Sequence, residues 1–252
     1  LSSLVQITNP RIEIIVVDNN SSDDSVSYMR KEFPKVNVIE SSKNNGFAGG
    51  NNIGAGAALG QYLLFINNDT KVTKDFLIPM IELCKRDAHV GCVQPEMRVM
   101  NHPDLLDEAG AYLTLSGFLY HYGYRKVHRL PMYQTTRVVF SAKGACMLIP
   151  KHAFEEVGGF DEDFFIFFEE TDLCHRLWLA GYKVIYMPDS HIYHVAGGDT
   201  VDTYDYERRV YLTFKNMNCS YLKNFGFLYG ATIYPIFVCF QIALLFYFLL
   251  SL

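Results

Sequence analysis

Two short apolar runs constrain this chain most, because each stops at a cluster of turn-forming polar residues. Ile12-Glu13-Ile14-Ile15-Val16-Val17 ends at Asp18-Asn19-Asn20-Ser21-Ser22, and Tyr62-Leu63-Leu64-Phe65-Ile66 ends at Asn67-Asn68-Asp69-Thr70. Runs with little alternation fit strands buried on both faces, as in a parallel sheet. Between them the pattern predicts a helix over Val26 to Phe33, halted before Pro34, a strand over Val36 to Glu40, and a small-residue helix over Ala55 to Leu59. Strand, helix, strand in that order indicates βαβ units and an α/β domain with a parallel or mixed sheet. In open sheets of this kind ligands bind beyond the carboxyl ends of the strands, where these polar clusters fall. Further on, helices are expected over Asp75 to Lys85 and Lys151 to Val157. Strands are expected at Val90 to Val93, Val138 to Pro150 and Lys183 to Met187. Met97 to Val138 has no clear period and is expected to form loops or hairpins lining an acceptor site.

Composition removes several classes of function. The chain has 252 residues, 50% of them hydrophobic, which suffices for one large α/β domain. Its formal net charge is -5, and no block of Lys or Arg stands out. That excludes nucleic acid as the main partner. Its 6 cysteines form no Cys-x-x-Cys pair, which argues against a zinc ribbon or a disulfide framework and fits a reducing cytosol. Gly226 to Leu252 carries no charge and is long enough to span a bilayer, although Pro235 would kink it. Arg208, Arg209, Lys215 and Lys223 precede it, a bias that places the globular part on the cytoplasmic face of the cell membrane. The reading is therefore a domain over residues 1–200, an amphipathic juxtamembrane helix over 201–225 and a transmembrane helix over 226–252. The chain opens at Leu1 without an initiator Met, so a larger parent protein is expected.

The polar clusters carry the candidate chemistry, each with a plainer alternative. Asp18 and Asn19 offer an acceptor and an amide that can read the edge of a uracil or thymine ring, or can simply form an Asx-turn. The glycine-rich stretch Gly46 to Gly54 lets backbone approach a phosphate or sugar, but it has neither the Gly-x-Gly-x-x-Gly spacing nor a P-loop lysine. Asp69, flanked by Asn67 and Asn68 at a strand end, can bind Mg²⁺ or Mn²⁺ while the metal takes diphosphate oxygens, or can close another Asx-turn. His194, on a loop after the strand ending at Met187, can supply an imidazole to the same cation, with His191 as its competitor. Most unusual is Gly158 to Gly181, where the greasy run Phe164-Phe165-Ile166-Phe167-Phe168 leads directly into Glu169, Glu170 and Asp172. Carboxylates against an apolar wall have perturbed proton affinity and mark functional sites. An acidic first helical turn is the plainer account. Arg176, one turn beyond Asp172, is placed to pair with it.

These pieces appear together in an order that resembles the family-two glycosyltransferases, in particular the bacterial rhamnosyltransferase-like branch. The matching stretches are Val17 to Asp23, Asn45 to Asn51, Asn67 to Asp69, Gly144 to Met147, Gly158 to Glu162, Glu169 to Arg176, Gly181-Tyr182 and His194. They cover roughly Ile12 to His194. The resemblance implies a GT-A fold: a mixed, mainly parallel sheet flanked by helices, with a nucleotide-sugar half over 1–96 and an acceptor half over 97–200. It implies donor contacts from Asp18, Asn19, Asn45, Gly46, Gly49, Asn51, Asn68 and Gly144. It also implies a divalent cation, Mg²⁺ or Mn²⁺, on Asp69 and His194. Glu169-Glu170 corresponds to the family's Glu-Asp motif, whose second carboxylate is the general base, with Asp172 as a fallback. The implied activity is inverting sugar transfer from a nucleoside-diphosphate sugar, rhamnose in this branch, to a cell-envelope glycan or polyprenyl-lipid-linked acceptor. The chain departs from the family twice. The usual first strand is absent before Leu1, and Glu170 stands where Asp is usual. These departures sustain the alternative of a non-catalytic nucleotide-sugar-binding or scaffold module.

Overall fold

The computed structural model describes residues 1–7, 12–195 and 205–250. The first unit is β1 (Ile15–Asp18), α1 (Ser25–Glu32) and β2 (Asn37–Glu40), with β1 and β2 paired in parallel from Ile15 opposite Asn37 to Asp18 opposite Glu40. α2 (Gly46–Ala57) follows and packs on β1. A seven-stranded sheet carries the rest, in the order β3 (Tyr62–Ile66), β10 (Cys146–Pro150), β5 (Val90–Val99), β11 (Lys183–His194), β4 (Thr70–Val72). β6 (His102–Glu108) adds to β5, and β9 (Arg137–Val139) adds to β11. A hairpin of β7 (Ala111–Leu113) and β8 (Leu119–His121) stands apart.

The period of two explains why the strands are apolar throughout. On β3, Leu63 and Phe65 enter one core, while Tyr62, Leu64 and Ile66 pack against the other. On β10, Met147 and Ile149 join the first core, and Cys146 and Leu148 join the second. α4 (Lys151–Glu156) and α5 (Glu169–Leu179) cover the first face through Phe154, Leu173 and Leu177. α3 (Leu77–Arg86) covers the other through Leu77, Met80 and Cys84. Phe160 is the hub of the first core, with its ring edge-on to Phe47, Phe65 and Phe154.

Several expectations are corrected. The large sheet is mixed but not mainly parallel: among its pairings only β11 with β5 is parallel, because β10 runs back between β3 and β5 and β6 folds back on β5. The glycine-rich stretch is helical from Gly46 onward rather than a loop. β11 does not end at Met187. It shifts register between Met187 and His191, absorbs Pro188 at that irregularity and continues to His194. The stretch 97–138, by contrast, forms hairpins as expected, β5 with β6 and β7 with β8.

α6 (Tyr206–Asn224) is the expected mixed-polarity helix, and α7 (Phe227–Leu250) follows it. The first residues of the expected juxtamembrane helix, 201–204, lie outside the described residues. Among the described residues no helix is long and apolar enough to cross a membrane, which corrects the spanning helix expected over 226–252. α7 has Pro235 inside it and folds back along α6, with Phe237 buried against Phe168, Met217 and Tyr221. Tyr234 donates its hydroxyl to Asn218 Oδ1 at 2.8 Å.

Truncating the aromatic hub tests this account of the core. Phe160→Ala should cost about 3–5 kcal/mol of stability, read as a lower urea midpoint at unchanged m-value.

Candidate active site

Asp18 closes β1 in a buried position, and its Oδ2 accepts the backbone N–H of Ser21 at 3.1 Å. The Asx-turn of the plainer account is therefore formed, and it orients the next side chain. Asn19 donates to the carbonyl of Gly46 at 2.8 Å and so ties the end of β1 to the start of α2. Gly46 has φ +68, and a Cβ there would collide with the carbonyl oxygen of Phe165. That carbonyl also accepts the N–H of Ala48 at 3.2 Å. Glycine at this position is therefore required by both backbone angle and space. Gly49 faces Asn45 in the same turn: a Cβ there would lie 2.7 Å from the Asn45 Cβ. Asn45 donates to Ser41 Oγ at 2.6 Å, and Asn51 donates to the Phe47 carbonyl at 2.9 Å. Asn68 lies in the turn between β3 and β4.

Asp69 and His194 come together across the sheet. The β11–β4 ladder sets His194 opposite Thr70, and Val195 N–H bonds the Asp69 carbonyl at 3.1 Å. His194 Nε2 lies 3.3 Å from Asp69 Oδ1, a buried oxygen that has no hydrogen-bond partner, so this contact is electrostatic. The other ring nitrogen, Nδ1, lies 2.8 Å from Asp107 Oδ2, and Lys143 Nζ lies 2.7 Å from the same oxygen. Burial works against a charge on His194, but Asp107 and Asp69 outweigh it and raise the imidazole to about 9. Burial likewise opposes the charges of Asp107 and Lys143. The ion pairs win, holding Asp107 below and Lys143 above their ordinary values.

Asp69 Oδ1 and His194 Nε2 form a mixed O and N donor set that suits Mn²⁺ once a cation displaces the proton that Asp107 and Asp69 hold on the imidazole. Among the described residues no group of three or more His, Cys, Asp or Glu side chains forms a complete metal cage. Further ligands would have to come from water or a bound diphosphate.

The second carboxylate cluster lines a cavity of ≈ 500 Å³. Glu108, His121, Lys143 and Glu170 supply its polar side, and Phe167, Phe168, Phe214 and Met217 form apolar wall. Glu170 Oε2 is buried without a hydrogen-bond partner, and a Cβ on Gly144 would lie 3.6 Å from the Glu170 Cβ. Burial raises the Glu170 carboxyl above the ordinary range, and the nearby Glu108 adds to this while His121 and Lys143 oppose it. Glu169 is more deeply buried, and burial followed by Glu170 pushes its carboxyl well up. Two adjacent desolvated carboxylates do not ionise together readily. His121 Nδ1 lies 2.8 Å from Glu108 Oε2, and that hydrogen bond raises its proton affinity.

Asp172 stands apart from the cavity. Its Oδ2 accepts Arg176 Nε at 2.8 Å and Lys223 Nζ at 3.0 Å, and its Oδ1 accepts Asn224 Nδ2 at 2.8 Å. It is a structural anchor between α5 and α6, as the Arg176 spacing foretold. Asp107, Glu108, His121 and Lys143 were missed from sequence. The signal available was Asp107-Glu108 after the apolar pair Leu105-Leu106, the same strand-then-acid pattern seen at Asp18.

A strand-end carboxylate and imidazole, Asp69 and His194, and a desolvated carboxylate at a helix start, Glu170, are thus held within one mixed α/β domain. The chain belongs to glycosyl transferase family 2, whose sequence profile matches residues 1–158. The matched region thus holds the Asp18, Gly46 and Asp69 clusters and stops before α5. The chain is similar to the low-salt glycan biosynthesis hexosyltransferase Agl10 of Haloferax volcanii, 26% identical over 215 residues, which cover 81% of this chain and 65% of that protein. It is also similar to N-acetylglucosaminyl-diphospho-decaprenol L-rhamnosyltransferase of Mycobacterium tuberculosis, 25% identical over 215 residues, covering 77% of this chain and 70% of that protein. The chain therefore spans less than two thirds of the first relative's length. The fold is similar to GalNAc-T7, solved with UDP, GalNAc and Mn²⁺, at a TM-score of 0.63 and 19% identity over 76% of this chain and 39% of that one. The mannosyltransferase PcManGT from Pyrobaculum calidifontis, in complex with GDP-Man and Mn²⁺, gives 0.60 and 17% over 88% and 58%. These likenesses establish a GT-A-like fold.

The electrostatics of Glu169 have a consequence for stability. Its folded-state proton affinity is raised, so its contribution is fully present below the ordinary Glu range and is lost as pH rises through the folded value. Glu169→Gln should therefore melt higher than the parent around neutral pH, by about 2–4 °C for each ~1 kcal/mol recovered. The difference should vanish in acid, where both side chains are neutral.

Proposed function

We propose that this domain transfers a sugar, with inversion at the anomeric carbon, from a nucleoside-diphosphate sugar to an acceptor hydroxyl, with Glu170 as the general base. The observation that carries this reading is Glu170, which lines the ≈ 500 Å³ cavity and whose Oε2 is buried without a hydrogen-bond partner. A desolvated carboxylate with a raised proton affinity is a stronger base than one in water and suits proton abstraction from an alcohol. In the transfer, Glu170 takes the hydroxyl proton. The oxygen's electron pair then forms the new bond to the anomeric carbon, and the bond to the diphosphate breaks on the opposite face. No covalent nucleophile is required.

Asp18 and Asn19, with the Gly46 turn they hold, face the base and ribose in this reading; Gly49, Asn51, Asn68 and Gly144 complete the donor site. Asp69 and His194 hold a divalent cation, Mn²⁺ or Mg²⁺, which supplies charge stabilisation to the departing diphosphate. Lys143 keeps Asp107 charged and His194 oriented. The donor sugar is rhamnose, and the acceptor is a cell-envelope glycan or a polyprenyl-linked saccharide. The names of the relatives support a hexosyl or deoxyhexosyl donor and a lipid-linked acceptor. The domain works at the cytoplasmic face of the cell membrane. Exposed Phe227, Leu228, Ile236 and Phe240 on α7 support contact with lipid without crossing it.

Two substitutions test this. Glu170→Gln should keep donor affinity by calorimetry and lose about 10²–10⁴ in turnover, whereas near-parental turnover would sink the base assignment. In the parent protein turnover should fall as pH drops through the raised Glu170 value, so its acid limb should lie above the ordinary carboxylate range. Asp69→Ala should abolish the Mn²⁺ dependence of donor binding. Unchanged affinity in that variant and in chelator would show that the cation lies elsewhere.

A further inference from the structure

We propose that Asn216 on α6 is a positioning residue for the transfer reaction, setting the placement of Glu170 and the closure of the Gly46 turn through the loop between them. The proposal rests on the reading of Glu170 as base.

Asn216 is fully buried, and its single side-chain nitrogen donates to three carbonyls of that loop: Phe164 at 2.9 Å, Ile166 at 2.9 Å and Phe167 at 2.7 Å. An amide nitrogen has two hydrogens, so at least one of them is shared. The loop needs such a clamp. Phe165, Phe167 and Phe168 have φ of 63°, 69° and 71°, the left-handed region that L side chains disfavour. Such backbone persists only where surrounding contacts over-determine it. Phe168 is further held by the edge of the Tyr221 ring, with centroids 5.7 Å apart, and Tyr221 lies on α6 as well.

The clamped loop has two outputs. At its C-terminal end Phe168 is the residue before α5, so its backbone sets the direction in which Glu169 and Glu170 leave. Phe167 and Phe168 also wall the cavity that Glu170 faces. At its other end the Phe165 carbonyl accepts Ala48 N–H and occupies the space that a side chain at Gly46 would need. One amide thus couples the base to the donor-side turn. The docking of α6 does not depend on it, because Lys223 and Asn224 already bind Asp172 at the far end of the helix. Asn216 therefore fixes the loop rather than the helix.

The test uses the full chain with Asn216→Ala and Asn216→Asp, beside Asn224→Ala as a control for α6 docking. Asn216→Asp keeps the shape and replaces the donor by an acceptor that repels the carbonyls. Both Asn216 variants should lose at least tenfold in kcat and raise the donor KM. In Asn216→Ala the acid limb should move to lower pH, because a released loop admits water to Glu170. The charged groups facing Glu170, namely Glu169, Glu108, His121 and Lys143, are unaltered in that variant, so the shift reports solvation, whereas Asn216→Asp adds a charge and is read by kcat and KM alone. Asn224→Ala should lower the melting temperature and leave kcat and the acid limb in place. Should Asn216→Ala fail to fold, Phe167→Gly is the background to use, since glycine adopts this φ unaided. The double variant should then fold and still lose kcat relative to Phe167→Gly alone. Folded Asn216 variants with kcat within threefold of the parent, or a folded Asn216→Ala with reduced kcat and an unmoved acid limb, overturn the proposal. Parental turnover in Glu170→Gln would instead overturn the base assignment beneath it.

Discussion

The parallel pairing of β11 with β5 is the constraint on which the rest of the site depends. It runs from Lys183 opposite Val90 to His194 opposite Val99, with a register shift where Pro188 interrupts the ladder. A strand that stopped at Met187 would leave His194 on a loop. By continuing, β11 gains β4 as a further neighbour besides β5 and β9 and brings His194 next to Asp69. β5 in turn folds back into β6, which delivers Asp107 and Glu108 to the same region. Side chains far apart in sequence therefore converge because one strand is long enough to pass its own irregularity.

That convergence concentrates charge in poor solvent, and the way it is offset divides the site. Asp107 is matched by His194 and Lys143, and Asp172 by Arg176, Lys223 and Asn224. Pairing offsets part of the desolvation cost of buried ions, whereas an unmatched one shifts its proton affinity instead. The unmatched oxygens include Asp69 Oδ1, the second oxygen of Asp107, and Oε2 of Glu169 and Glu170. Glu170 lines the cavity, while Glu169 carries the cost of sitting behind it.

Local chemistry was legible in the sequence, and long-range pairing was not. The strand ending at Ile66 is apolar on both faces because two cores demand it, and that shows as an unbroken apolar run. The Asp172–Arg176 spacing revealed a contact one helical turn long. The direction of β10 between β3 and β5 has no local signature, so a mostly antiparallel sheet read as a mixed, mainly parallel one. The stretch Gly46 to Gly54 does not read as helix because glycine disfavours helices. Glycines stand at Gly46 and Gly50 because Phe165 and Asn19 approach too closely for side chains there. Asp107 and Lys143 escaped because their role appears only when β6 and the start of β10 meet β11.

The asparagines shift the question of donor recognition. Their density around residues 19, 45 and 51 suggested amides free to read a base or sugar, yet their nitrogens serve the backbone. Asn19 holds the Gly46 carbonyl, Asn45 the Lys43 carbonyl, Asn51 the Phe47 carbonyl, and Asn52 holds Phe160 from both sides. An amide nitrogen spent on a carbonyl cannot turn to a ligand without leaving that carbonyl unpaired. In the proposed reading the nitrogens of these amides therefore shape the donor site, and donor contact falls to carboxylates such as Asp18 and to the main chain the amides hold in place. The asparagines act by shaping the turn, so replacing one should disturb every donor alike rather than change which donor is preferred.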